Sequence, residues 1–176
     1  MTNISTIFYI VRHGETDGNT KRIQQGQLDF PLNDKGRSQA KERAKDLKRV
    51  HFDLTFSSDL VRAHKTAQII ALEHDLVVTT SKALRERNYG KFQGISRDDF
   101  TDEISTLFAK WYSLAGKEWL EHRIDESVET GEEVVSRVFT LSQRSGYRTS
   151  RKNDSHCLSR WSNAKSTRTF GMGWSK

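Results

Sequence analysis

The chain has 176 residues, 34% hydrophobic and 30% charged, a composition typical of a soluble domain large enough to bury one core. Its single cysteine excludes an internal disulfide, and the longest early apolar run, Ile7–Val11, is too short for a membrane span or signal peptide, so we expect a cytoplasmic protein without a membrane partner. Residues 141–176 hold eight of the 29 Lys and Arg residues but one of the 23 acids, so the tail carries +7 and the preceding chain −1.

Strands and helices alternate in the first half of the chain. The β-branched and apolar runs Ile7–Val11, Phe52–Phe56 and Leu76–Thr79 predict three strands, the first of them buried. This alternation predicts an α/β fold with three layers, in which a doubly wound, mostly parallel sheet carries helices on both faces. Such sheets bind ligands beyond the carboxyl ends of their strands.

Capping residues and helical spacing predict the helices. Asn33 or Asp34 begins a helix that reaches about Arg49, and Asp59 begins another that reaches about His74. Thr130 and Glu133 fit a capping box at the start of a later helix. Helical spacing of apolar residues predicts one more helix between Asp98 and Tyr112. The predicted inward-facing residues are Ala40, Ala44 and Leu47 in the first helix, Phe100, Ile104, Leu107, Phe108 and Trp111 in the helix between Asp98 and Tyr112, and Val134, Val135 and Val138 in the last.

A candidate reactive group directly follows the first predicted strand, in the run Arg12-His13-Gly14-Glu15-Thr16. A histidine at this end of a parallel sheet can act as a nucleophile when a hydrogen bond holds one ring nitrogen and the other is free. Arg12 offers a planar, permanently charged group for phosphate oxygens, and Gly14 allows close approach of the backbone to a ligand. Taken alone, the same run is equally compatible with an ordinary loop histidine beside a salt-bridging arginine.

Further motifs follow in order along the chain. They are Asn19 with Gln25-Gly26 and Asp29-Phe30-Pro31-Leu32, then Phe56-Ser57-Ser58-Asp59-Leu60-Val61-Arg62-Ala63 with Thr66-Ala67, then Leu84-Arg85-Glu86-Arg87-Asn88-Tyr89-Gly90 with Gly94. Together with the first run, this series resembles the histidine phosphatase superfamily, which includes the phosphoglycerate mutases. The resemblance covers Ile7 to about Thr140, so we expect an incomplete domain of this family in residues 1–140.

The resemblance implies roles for four catalytic residues. His13 attacks a phosphoryl group and becomes a phosphohistidine, while Arg12 and Arg62 hold the phosphate and neutralise its charge. Glu86 protonates the leaving oxygen and then activates the acceptor. The implied substrate is a small phosphorylated molecule, and no metal or other cofactor is implied. The predicted substrate-binding residues are Arg12, Gly14, Glu15, Thr16, Asn19, Gln25, Gly26, Arg62, Glu86 and Tyr89.

One family motif is missing. In the family, a late apolar strand beside the first strand ends in Ser-His-Gly-Gly, and its histidine completes the phosphate site. Here Ser155-His156-Cys157 follows a polar stretch that cannot form a buried strand, so we assign His156 no catalytic role. Synonymous codons for His156–Lys165, read one nucleotide later, give Ile-Val-Ser-His-Gly-Gly-Val-Met-Arg. This match indicates a change of reading frame between Thr140 and Gln143.

A frame change alters what the tail means. We expect residues 141–176 to be out of frame and poorly ordered, so nucleic-acid binding by their basic groups is incidental. Without the late strand, the first strand lacks a neighbour and the chain is predicted to be weakly stable, aggregation-prone and impaired in activity. The leading functional interpretation is a phosphatase of small phosphate esters. The alternatives are a phosphoglycerate mutase-type phosphotransferase, a catalytically dead phosphate-binding protein and a non-functional gene product.

Overall fold

The computed structural model describes residues 7–144, with side chains described up to Leu141. Its α-helices are α1 (Asp17–Thr20), α2 (Asp34–Leu47), α3 (Val61–Ala71), α4 (Asp102–Ser113), α5 (Gly116–Glu121) and α6 (Gly131–Arg144). Its strands are β1 (Thr55–Ser57) and β2 (Val78–Thr80), and short 3-10 turns lie at Lys82–Leu84, Gly90–Phe92 and Arg97–Asp99. Most of the proposed out-of-frame tail, including His156 and Cys157, lies outside the described residues.

The α/β fold with a parallel sheet is confirmed. Strands β1 and β2 pair in parallel, with Phe56 opposite Thr79, and α3 connects them. Helix α2 packs on α3, and the small residues Ala40 and Ala44, which are 2% and 3% exposed, allow the two helices to approach closely. The predicted second and third strands are therefore present and begin three and two residues later than predicted.

The first predicted strand is wrong as an element of the described sheet. Ile7–Val11 forms neither helix nor strand, and within residues 7–144 its backbone makes no hydrogen bond. Ile7, Phe8 and Ile10 are 77%, 65% and 75% exposed, so the segment is not buried either. Tyr9 contacts Phe52 edge to face, with ring centroids 5.3 Å apart, which keeps the segment beside the chain that leads into β1. A strand needs a partner, and the described sheet consists of β1 and β2 alone.

Local capping determines several helix boundaries as predicted. The Asn33 side chain accepts a hydrogen bond from the Gly36 N–H at 2.8 Å and begins α2. Thr130 and Glu133 form the reciprocal capping box of α6, with distances of 2.7 and 3.2 Å. The Asp59 prediction is wrong, because its carboxylate instead accepts two hydrogen bonds from Arg85 at 2.7 and 2.6 Å and α3 begins after Leu60 without a side-chain cap.

Residues from the second half of the chain form the main hydrophobic core. Phe92, Phe108, Trp111 and Val128 are at most 4% exposed, and Tyr89, Phe100, Ile104 and Trp119 pack around them. The predicted inward face of α4 is confirmed except for Leu107, which is 38% exposed. This aromatic core supports the turn that carries Glu86, and so the fold joins the second half of the chain to the candidate site.

Candidate active site

His13 lies in the loop after Ile7–Val11, and hydrogen bonds engage both of its ring nitrogens. Nδ1 lies 2.7 Å from the Gly14 carbonyl oxygen, which can only accept, so Nδ1 carries the proton. Nε2 accepts a hydrogen bond from Arg62 Nε at 3.2 Å. The lone pair of Nε2 therefore points at a guanidinium group, which is where an anionic phosphoryl group would bind.

The surroundings of His13 favour its neutral form. Burial lowers the pKa of His13, and although the hydrogen bond to Gly14 opposes this shift, the charges of Arg62 and Arg12 lower the pKa further. The Glu86 carboxylate has the smallest effect and raises it. A neutral imidazole leaves Nε2 unprotonated, with the lone pair that a nucleophile needs, and here that lone pair accepts the hydrogen bond from Arg62.

Arg62, in the first turn of α3, is 2% exposed and is held by the loop before Pro31. Its Nη1 donates to the Leu28 carbonyl at 2.7 Å, and its Nη2 donates to the Gly26 carbonyl at 2.6 Å. Gly26 adopts φ +50°, a conformation suited to glycine, and this turns its carbonyl toward the guanidinium. Burial lowers the pKa of Arg62, but a guanidinium stays charged at any physiological pH.

Close backbone packing positions the loop that carries His13. The Gly14 N–H donates to Thr66 Oγ1 at 3.2 Å, and Thr66 in turn donates to the Arg62 carbonyl at 2.8 Å. A Cβ atom on Gly14 would collide with the backbone of Gly36 at the start of α2. Gly14 is therefore required by helix packing, in addition to the ligand contact predicted for it.

Glu86 is exposed at the edge of the site. Its Oε1 accepts a hydrogen bond from the Arg87 N–H at 2.7 Å, and its carbonyl accepts from Gln27 Nε2 at 3.1 Å and from Arg137 Nη2 at 3.2 Å. Its charge raises the pKa of both His13 and Arg62. The carboxylate therefore acts on the same two groups that face each other at the centre of the site.

Arg12 and Tyr89 flank this centre differently. The Arg12 side chain is exposed, and its charge lowers the pKa of His13. The Tyr89 ring packs against Phe108 and Trp111, with centroid distances of 6.3 and 6.4 Å, and its burial raises its pKa. Tyr89 is thus part of the aromatic core under the Glu86 turn.

Four of the predicted substrate-binding residues make hydrogen bonds or ion pairs with one another or with residues at the start of α2. Thr16 is 0% exposed, caps α1 and donates to the side-chain oxygens of Asn19 and Gln25, at 2.9 and 3.0 Å. The Glu15 carboxylate pairs with Lys35 at 2.9 Å and accepts from Asn33 at 3.1 Å. These contacts build the loop behind His13, and direct contact of these four residues with a substrate remains a prediction.

The structure adds three residues for which the sequence predicted no role. Gln27 joins the Arg62 loop to the Glu86 turn through the Glu86 carbonyl. Arg137 of α6 holds the same carbonyl and also donates to the Ala83 carbonyl at 2.6 Å. Arg87 is 4% exposed beside Glu86. Their partners lie far away in sequence, so no local pattern indicates these roles.

Neither a metal site nor a membrane-spanning helix is found in the described part of the chain. Between Ile7 and Arg144, no three His, Cys, Asp or Glu side chains are grouped so that they could hold a metal ion. In the same range, every helix is too short or too polar to cross a bilayer.

Known proteins are similar to this chain in sequence and in fold. The model of the histidine phosphatase superfamily (branch 1) matches residues 8–153. Phosphoglycerate mutase-like protein 4 of Arabidopsis thaliana is 39% identical over 78% of this chain and 59% of its own length. A 2,3-bisphosphoglycerate-dependent phosphoglycerate mutase of Bartonella bacilliformis is 40% identical over 51% of this chain and 46% of its own length. A mycobacterial glucosyl-3-phosphoglycerate phosphatase, solved with VO3, superposes with a TM-score of 0.69 at 30% identity, over 78% of this chain and 66% of that one.

The chain belongs to the histidine phosphatase superfamily, branch 1. The family resemblance inferred from the run around His13 and the motifs that follow it is confirmed. The chain spans about half to three fifths of the length of the two curated relatives described above, 46% and 59%.

Proposed function

We propose that this protein hydrolyses phosphate esters of small metabolites through a phosphohistidine at His13. The observation that carries the proposal is the pair of hydrogen bonds on the His13 ring, which fixes the proton on Nδ1 and points the Nε2 lone pair at Arg62. A neutral imidazole aimed at a buried guanidinium suits attack on a phosphoryl group that the guanidinium binds.

The first step forms a bond from His13 Nε2 to phosphorus and breaks the bond from phosphorus to the ester oxygen. The Glu86 carboxyl gives its proton to the leaving oxygen, and the product alcohol departs. Arg62 and Arg12 neutralise the charge on the phosphoryl oxygens, while the Gly14 carbonyl stabilises the proton on Nδ1 as the ring becomes positive.

The second step returns the enzyme to its starting state. The Glu86 carboxylate takes a proton from a water molecule, whose oxygen forms a bond to phosphorus as the bond to Nε2 breaks. Inorganic phosphate is released, Glu86 is again protonated and His13 is again neutral. With a second phosphorylated alcohol in place of water, the same step is a phosphotransfer.

Water as the acceptor is the interpretation that we favour over a mutase. Glu86 lies at the open edge of the site, where water has access. The mycobacterial structural relative is a phosphatase, whereas the Bartonella bacilliformis relative is a mutase. An assay with 3-phosphoglycerate distinguishes hydrolysis from mutase activity in this chain. Phosphate release from 3-phosphoglycerate supports hydrolysis, and its conversion to 2-phosphoglycerate in the presence of a bisphosphoglycerate primer would show a mutase instead.

We infer that this chain is impaired, because the Ser-His-Gly-Gly motif is missing and Ile7–Val11 lies outside the described sheet. The nucleotide sequence around the Thr140 codon tests the proposed frame change. A gene with the shifted frame restored should encode a chain at least about a hundredfold more active, since loss of one group that binds the transition state costs about that much. Codons that do not permit Ile-Val-Ser-His-Gly-Gly would end the frame-change proposal.

The test of function measures phosphate release from an aryl phosphate by the purified chain and its variants. His13→Asn should abolish release, and His51→Asn is the matched control, because His51 is exposed and its ring pairs only weakly with Asp53 at 3.7 Å. Equal activity of His13→Asn and the unsubstituted chain would overturn the proposal. Vanadate binding without turnover, lost in Arg62→Met, would instead support the catalytically dead phosphate-binding protein.

A further inference from the structure

The Glu86 carboxyl depends on the backbone of the next residue. Its Oε1 accepts a hydrogen bond from the Arg87 N–H at 2.7 Å, and among residues 7–144 no other donor reaches this carboxyl. The turn on which both residues lie contains no α-helix or strand of its own. The direction in which the carboxyl points is therefore set by the position of one N–H group.

The side chain of Arg87 is held much more firmly than that of Glu86. It runs inward to 4% exposure, and its guanidinium carbon lies 4.6 Å from the ring centroid of Trp111 and 5.0 Å from that of Trp119. Its Nη1 donates to the Glu129 carbonyl at 2.9 Å. A guanidinium over aromatic faces is attracted by the ring electrons, and more strongly where water is excluded.

Three separate elements thus converge on one side chain. Trp111 belongs to α4, Trp119 belongs to α5, and Glu129 immediately precedes the capping box of α6. Glu129 reinforces the same turn, because its carboxylate accepts from the Asn88 N–H at 3.0 Å and its own N–H donates to the Asn88 carbonyl at 2.9 Å. Hydrogen bonds of Arg87 and of Asn88 with Glu129 thus fix this turn to the second half of the chain.

We propose that Arg87 is a positioning residue for the general acid: its buried side chain, held by Trp111, Trp119 and Glu129, fixes the N–H that aims the Glu86 carboxyl. This inference rests on the proposed function, in which Glu86 protonates the leaving oxygen. The side chain and the N–H belong to the same residue, so immobilising one immobilises the other. Helices α4 and α5 thereby influence proton delivery through their contacts with Arg87.

Leaving-group dependence separates proton delivery from general structural damage. An alkyl phosphate needs its leaving oxygen protonated, whereas 2,4-dinitrophenyl phosphate releases a stable anion and does not. Arg87→Met should lower kcat for glycerol 2-phosphate by about ten- to a hundredfold, in line with the cost of a small misplacement, and change kcat for the aryl ester little. Arg87→Lys, which keeps the charge over the rings, should restore part of the loss.

The matched control is Arg123→Met. Arg123 also donates to a backbone carbonyl near α6, that of Val128 at 2.8 Å, but its side chain is exposed and lies outside the site. In this variant, kcat should be unchanged for both substrates. An equal loss on both substrates in Arg87→Met, or a loss of the same size in Arg123→Met, would mean a merely structural role and overturn the proposal.

Amide hydrogen exchange at residue 87 provides a readout that needs no turnover. Exchange of this N–H should be at least about tenfold faster in Arg87→Met and in Glu86→Ala than in the unsubstituted chain, since the first change loosens the hydrogen bond and the second removes its acceptor. Unchanged exchange in Arg87→Met would overturn the proposal even if the chain is inactive. Full alkyl phosphatase activity in Glu86→Gln would instead overturn the proposed function, whereas a loss there with none in Arg87→Met would refute the Arg87 role alone.

Discussion

Two regions that the fold brings together differ sharply in how they are held. The loops around His13 and Arg62 bury polar groups in a dense set of hydrogen bonds, and Arg62 and Thr16 are among the most deeply buried side chains described. The segment Ile7–Val11, which leads into His13 through Arg12, exposes most of its apolar side chains and makes no backbone hydrogen bond within the described range.

The contacts that hold the centre of the site come from outside the described sheet. His13 is held by Gly14, whose N–H is bound by Thr66 of α3, and Arg62 is held by the carbonyls of Gly26 and Leu28. All of these residues lie in loops or in α3, within the first 70 residues. Ile7–Val11 makes few contacts with the rest of the described chain. The effects of substitutions in this segment and of substitutions in the site can therefore be measured separately.

The largest effect is expected from removing the Arg62 guanidinium. Arg62→Met keeps the volume but leaves the buried carbonyl of Gly26 and the partly buried carbonyl of Leu28 without their donor, at about 1–3 kcal/mol each, so we expect a loss of about 3–4 kcal/mol in the free energy of unfolding. Urea denaturation measures it. A loss below about 1 kcal/mol would mean that solvent reaches these carbonyls and that the loop does not hold Arg62 rigidly.

A pair of truncations compares the two regions directly. Leu32 is 2% exposed beside Thr16, and Leu32→Ala should lower the free energy of unfolding by about 2–3 kcal/mol. Ile10 is 75% exposed, and Ile10→Ala should lower the free energy of unfolding by less than about 0.5 kcal/mol. Ile10→Lys should reduce aggregation. Equal losses for Leu32→Ala and Ile10→Ala would show that Ile7–Val11 is buried in solution, by the rest of the chain or by a second copy.

A pH effect should distinguish His13 from the surface histidines. Because the pKa of His13 is lowered from its ordinary 6.5, chiefly by burial, the unfolded chain binds a proton there more readily than the folded chain. The stabilising contribution is therefore complete above about pH 6.5 and is lost as the pH falls through the folded-state pKa. An NMR titration should place this pKa below 6.5, and the stability difference from His13→Asn should vary with pH only in that window. A constant difference would contradict the assignment.

The smallest effect concerns Asp125, at the turn before α6. Its hydrogen bond from Lys91, supported by Ser127, lowers the pKa of Asp125 to about 2. Its contribution to stability is present above the ordinary value of 3.8 and is lost as the pH falls toward 2. Asp125→Asn should therefore flatten the pH dependence of unfolding in that range, by an amount that salt reduces. A pH profile of Asp125→Asn identical to that of the unsubstituted chain would contradict the prediction.

The parts of the fold that local chemistry determines could be predicted from the sequence. Asn33 and the Thr130 capping box lie within three residues of the N–H groups that they bind, so their patterns are readable along the chain. Ile7–Val11 has the composition of a buried strand, but a strand also needs a partner from elsewhere in the chain. Asp59 had the position of a helix cap, yet an arginine 26 residues away binds its carboxylate.

The same division holds for the candidate site. The motifs around His13, Arg62 and Glu86 could be recognised because each is a short run, and His13 and Arg62 do lie together, 3.2 Å apart. Their supports could not be recognised, because Arg62 reaches carbonyls 34 and 36 residues earlier, and Arg137 reaches a carbonyl 51 residues earlier. Backbone carbonyls leave no mark in a sequence, so the residues that build a site are harder to predict than those that react in it.

The central claim, that His13 accepts a phosphoryl group, is tested most directly by locating the phosphoryl group on the protein. The chain would be incubated with a reactive phosphoryl donor, quenched in base, which preserves phosphohistidine, and digested for mass spectrometry. The account predicts one acid-labile phosphoryl group on His13, present in His51→Asn and absent from His13→Asn. Phosphate on another residue, or no phosphorylated peptide at any concentration of the donor, would contradict it.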